Sequence, residues 1–146
     1  MHLWSVREQL DTPTPWLLLD AMGALASAVM HGVVLRRVLP VTGMPAEVLG
    51  ALAVIACGLA VFSIVSWNLS TRSLIGVARA GQLLRTVALA NVLFCLGLAA
   101  LLVVFSEVLT GWGYAYFALE IAAVLWLANV EWRVGVRSLR RVSERV

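Results

Sequence analysis

The sequence predicts an all-α integral membrane protein, an up-down-up-down bundle of four membrane-spanning helices followed by a C-terminal amphipathic helix. Three observations lead there. Of the 146 residues, 62% are hydrophobic and 13% charged, with a mean hydropathy of +0.94; soluble domains use roughly 45–50% apolar residues. A soluble chain of this size has too little interior to hide so much apolar surface, so lipid must surround it. Four apolar runs, Trp16–Leu35, Ala46–Trp67, Leu83–Phe105 and Trp112–Glu131, each approach the roughly 20 residues that cross a bilayer core at 1.5 Å per residue. The connections between them are short, so spans adjacent in sequence are expected to pack side by side, with the first and fourth also neighbours. Residues 1–146 therefore read as a single membrane domain without repeats and without room for a globular unit.

The first span begins where Thr14 can cap a helix and Pro15 suits its first position, where no amide donor is needed. The small-residue stretch "ALASA" (24–28) resembles a signal-cleavage site. However, Arg7 is outweighed by Glu8 and Asp11, and the apolar region would contain Asp20. An uncleaved helix is the better reading. In "RRVLPVTGMP" (36–45), Pro40, Gly43 and Pro45 end one helix and start the next. The second span carries a stripe of small residues, Gly50, Ala53, Cys57 and Ala60. The longest connection is "NLSTRSLIGVARAGQ" (68–82), before a third span that carries Asn91. "SEVLTGWG" (106–113) turns the chain into the fourth span, which carries Glu120.

Arginine sets the expected orientation, because the chain has no lysine. Nine arginines (7, 72, 79, 85, 133, 137, 140, 141 and 145) fall on the side shared by the two termini and the central connection, against Arg36 and Arg37 on the other. The positive-inside rule then places both termini in the cytoplasm of a multi-pass protein of the bacterial inner membrane. Trp16, Trp67, Trp112, Tyr114 and Trp132 lie near span ends, where amphipathic rings favour the headgroup level.

Asp20, Gly23, Ala24, Ser27 and His31 share one face of the first helix by their spacing. That face should point into the bundle, where polar groups find partners. Counting the rise per residue brings His31 and Glu120 to within about 4–5 Å in depth. Asp20 falls at about the depth of Asn91 and Asn129. Asp20, Ser27, His31, Asn91 and Glu120 are thus a candidate intramembrane polar network, either a proton or cation site or a set of hydrogen bonds that fixes helix register.

These segments carry a resemblance. "LLLDAMGALASAVMHGVVLRR", "GMP", "ALANVLFC", "LTGWGYAYFALEI" and "NVEWR", in that order, resemble a family of small bacterial four-helix membrane proteins of uncharacterised function. The resemblance spans roughly residues 17–133 and marks Asp20, Gly23, Ser27, Asn91, Tyr116 and Glu120 as family-pattern positions. The chain departs from the pattern at Phe94, where the family often has Tyr. It departs again in "VFSIVSWN" (61–68), which stands where the family has a more polar, aromatic segment containing an acidic residue. The resemblance implies a fold and no activity.

The tail "WRVGVRSLRRVSERV" (132–146) is amphipathic as a helix. Trp132, Val136, Leu139, Val142 and Val146 fall on one side, and Arg133, Arg137, Arg140, Arg141 and Arg145 on the other. Trp132 and these arginines are expected at the membrane surface, against anionic inner-leaflet lipids. Nucleic acid is not an expected partner of a basic segment tethered to a membrane.

No catalytic residue, metal site or cofactor is expected. His31 is the only histidine within a span, which leaves a bis-histidine haem site without its second ligand. Cys57 and Cys95 lack a Cys-x-x-Cys relay, and no metal-protease, phosphate-loop or nucleophile-elbow motif is present. Three functional readings follow. The first, which leads because nothing in the sequence requires chemistry, is a non-enzymatic assembly or accessory subunit, as a homo-oligomer or in a larger complex. The second is a proton-coupled small carrier or channel using Asp20, His31 and Glu120. The third, with the thinnest ligand set, is a haem- or quinone-linked oxidoreductase.

Overall fold

The computed structural model describes residues 12–144, with the side chains of all but 141–143. Every regular element among the described residues is helical. Helix α1 runs Pro13–Arg37 and contains a π turn at Met30–Val34. A short turn, α2 (Leu39–Thr42), leads to α3 (Ala46–Thr71), α4 (Val77–Val104) and α5 (Gly111–Ser143). Four of these helices are long and apolar enough to cross a membrane. The chain is an all-α, four-helix membrane bundle.

The boundaries differ from the sequence expectation in instructive ways. Helix α1 starts at Pro13, after Thr12 in extended conformation, so Pro13 takes the first position expected of Pro15. Thr14, freed from capping, places its hydroxyl 2.7 Å from Ser70 Oγ. The connection between α3 and α4 is only residues 72–76. Both helices continue past their apolar runs because their end residues still have neighbours: Ala80 and Gly81 are buried. The last span and the amphipathic tail form one helix without a break at 131/132.

The bundle is two hairpins, α1 with α3 and α4 with α5, each packed more closely within itself than against the other. Helix α1 touches α4 and α5 more lightly, so the expected α1–α5 neighbourhood is present but is a minor contact. At the end bearing the α1–α3 and α4–α5 connections, Leu35, Met44, Leu49, Leu98 and Phe117 form the core. At the terminal end Leu17, Leu84, Val87 and Val134 do so. Much of the remaining apolar surface, such as Val54, Val61, Leu93, Leu96 and Leu119, faces outward, as lipid-facing side chains must.

The two connections interlock. The Thr110 amide donates to the Thr42 carbonyl at 3.2 Å, and its hydroxyl donates to the Val41 carbonyl. Gly43 ends α2 in the left-handed region at φ 76°, with the Val108 carbonyl lying where a side chain would go. At the other end α4 and α5 cross on two glycines. A Cβ on Gly135 would meet Arg85 Cγ at 2.6 Å and the Gly81 carbonyl at 2.8 Å, a small-residue contact of the kind that brings membrane helices close. This contact holds the first part of the tail against the bundle.

The buried face of α3 is Leu49, Leu52, Ala56, Ala60, Ser63 and Ser66, rotated from the expected small stripe. Gly50 is half-buried and Cys57 faces outward. The rotation has a polar cause, because it brings Ser63 against Asp20.

Candidate functional site

Two polar groups occupy the interior, one toward each end of the bundle. Toward the connection end, His31 is fully buried on the π turn of α1; π turns are frequent at functional sites. Its Nε2 lies 2.9 Å from Glu120 Oε2 on α5. Ser27 donates to the other oxygen, Glu120 Oε1, at 2.7 Å. The imidazole stacks on Phe117 and meets the edge of Tyr116, and these rings cover the histidine.

Toward the terminal end, Asp20 is 2% exposed. It accepts from Ser63 Oγ at 2.5 Å and from Asn91 Nδ2 at 2.5 Å. The second Asn91 amide hydrogen faces Glu131 Oε2 at 3.3 Å. One amide therefore bridges carboxyl groups from α1 and α5. Glu131 is fully buried, and its Oε1 has no hydrogen-bond partner.

The five residues expected to form a network are thus brought together, but as two clusters: Ser27, His31 and Glu120 in one, Asp20 and Asn91 in the other. Asn129, expected near Asp20, is exposed on the outer surface of α5. Its place is taken by Glu131 and Ser63, which the sequence reading did not single out. A signal for Glu131 was present. Asp20 and His31 are eleven residues apart on α1, and Glu120 and Glu131 are eleven apart on α5. Eleven residues return to nearly the same helical face. In antiparallel helices this spacing places Asp20 level with Glu131 and His31 level with Glu120.

Between the clusters lies a cavity of about 180 Å³. Asp20 and Asn91 line one end, Ser27 and Glu120 the other, with Gly23 and Ala123 between them. Gly23 has no neighbouring atom within reach of an added Cβ. Gly23 and Ala123 are exposed, so they stand at the mouth where this space opens to the outside of the bundle, and Gly23 makes no close helix contact. A second hollow, lined by Gly23, Met30, Tyr116 and Glu120, lies along the α1–α5 seam.

On the tail, Glu131, Val134, Gly135 and Ser138 form the buried face, and Val136 and Leu139 are half-buried. Trp132, Arg133, Arg137 and Arg140 are exposed, while the Arg141 side chain and all of Arg145 lie outside the described residues. Cys95 is buried and Cys57 exposed, both as free thiols. Among the described residues no group of three or more His, Cys, Asp or Glu side chains could hold a metal ion.

The arrangement offers exchangeable protons at two depths, about 16 Å apart along the helix axes, with a shared space between. No protein-family model, curated protein or solved structure matches the chain.

Proposed function

We propose that this is a small multi-pass membrane protein that moves protons through its interior, as a proton-coupled carrier or channel of the bacterial inner membrane with both termini cytoplasmic. The single observation that carries this reading is the cavity that Asp20 and Asn91 line at one end and Ser27 and Glu120 at the other. Ionisable groups inside a membrane segment mark ion or proton pathways by default, because their insertion is costly. Here they stand in order along one axis. Ser70, Ser66 and Ser63 on α3 extend the polar trail from the terminal end to Asp20. A proton entering there passes from the Asp20–Glu131 pair across the cavity to Glu120 and His31.

An assembly subunit would use its polar face to hold a partner. In this bundle those groups face one another within a single chain, which supports the transport reading over that one. The resemblance to small bacterial four-helix membrane proteins agrees with the fold and is neutral on activity.

The test is proton flux into proteoliposomes containing a pH-sensitive dye, driven by an imposed potassium diffusion potential. The purified protein is expected to acidify the lumen faster than empty liposomes do. Asp20→Asn and Glu120→Gln should each return the rate to that of empty liposomes. A wild-type rate equal to the empty control would overturn the reading. Reporter fusions at positions 75 and 146 should report inside, and fusions at 42 and 110 outside.

A further inference from the structure

Arg85 lies eight residues into α4, about 12 Å from its start. Its guanidinium carbon sits 4.4 Å above the ring of Trp132 on α5. Its Nε is buried and has no hydrogen-bond partner. No carboxylate among the described residues pairs with it. A guanidinium stays charged at any ordinary pH, so this half-buried cation is open to an anion from outside the described residues. A tryptophan ring at a span end marks the headgroup level.

Directly beside this pair, a groove of about 280 Å³ follows the α4–α5 seam toward the middle of the bundle. Its walls include Leu89, Val92 and Leu125, and the exposed amide of Asn129 stands between these and Trp132. A cation at the headgroup level, then an amide, then an apolar trough is the order of chemistry along a phospholipid: phosphate, glycerol ester, acyl chain. We propose that the α4–α5 seam holds one anionic phospholipid, with its phosphate on Arg85 and an acyl chain in the groove between Leu89 and Leu125. Arg85 gives the phosphate a charge-assisted partner, and Asn129 donates to an ester carbonyl. The site is separate from the polar interior and does not depend on transport.

Native mass spectrometry of the full chain, released from vesicles of equimolar phosphatidylglycerol and phosphatidylcholine, tests this. Wild type is expected to retain phosphatidylglycerol in preference to phosphatidylcholine. Arg85→Gln should lower that retention about fivefold or more. Val92→Trp, which fills the groove and keeps the cation, should lower it as well and decides the matter if the arginine variant does not fold. Arg79→Gln, which removes an exposed cation on the first turn of α4, should leave retention unchanged, and added inorganic phosphate should not displace the lipid. Equal retention of the two lipids overturns the proposal, as does wild-type retention by Arg85→Gln or by Val92→Trp. A loss with Arg79→Gln as large as with Arg85→Gln would mean diffuse attraction to the basic end of the bundle and would overturn the site.

Discussion

His31 on α1 and Glu120 on α5 meet at 2.9 Å inside the bundle, and this contact joins the two helical hairpins. The histidine is fully buried, and the carboxylate side chain is only 8% exposed. Within the described chain, the ring's second nitrogen, Nδ1, is buried without a hydrogen-bond partner. Glu120 is thus the polar partner that holds His31 in place.

Removing one member of this pair leaves the other buried without its partner, at a cost of about 3–5 kcal/mol. His31→Leu and Glu120→Leu should each lower stability in detergent by that order, and the double variant should recover much of the loss. Thermal unfolding of the four proteins completes the cycle. If the two single losses simply add, the residues do not interact.

Asn91 should matter more than any other amide. Asn91→Leu removes the donor between Asp20 and Glu131, leaving polar atoms unsatisfied at about 1–3 kcal/mol each. Asn129→Leu, on the outer surface, should stay within about 0.5 kcal/mol of wild type. Denaturant titration in mixed micelles checks both, and equal effects would refute the placement of Asn91 at the core of the network.

The α4–α5 crossing predicts a contrast between glycines. Gly135→Ala forces a methyl group against Arg85 and the Gly81 carbonyl and should cost about 1–3 kcal/mol. Gly97→Ala meets nothing within 4 Å and should be neutral or slightly stabilising, since alanine favours helix. Unfolding temperatures in the same detergent separate the two. A neutral Gly135→Ala would mean the crossing is looser than described.

Much of this fold was legible in the sequence because lipid imposes a strong length and polarity rule. Four apolar runs gave four helices, and Asp20 and His31 marked the buried side of α1, although Gly23, expected on the same face, is exposed and Ala21 and Ala28 are buried instead. The partners were less legible. Asn91 and Asn129 are both single polar residues in apolar surroundings, and helical rotation alone separates the buried one from the exposed one. Ser63 was missed because a serine in an apolar run gives no charge signal. Glu131 was missed because it adjoins a basic amphipathic segment and reads as the edge of the tail. The tail's buried side was also misjudged, since Gly135 and Ser138 pack by being small, which a hydrophobic wheel ignores.

The central claim is that the cavity between the two clusters is the working part of the molecule, and Gly23 gives direct access to it. Gly23→Leu places a side chain at the exposed mouth of the cavity, where no atom opposes it and the larger side chain can cover the opening, and leucine favours helix over glycine by about 0.8 kcal/mol. Every polar residue stays in place. Proton flux through this variant in proteoliposomes, measured beside its thermal stability, is the most direct test. The account predicts a protein at least as stable as wild type with flux reduced to that of empty liposomes. A stable Gly23→Leu protein with wild-type flux would contradict it.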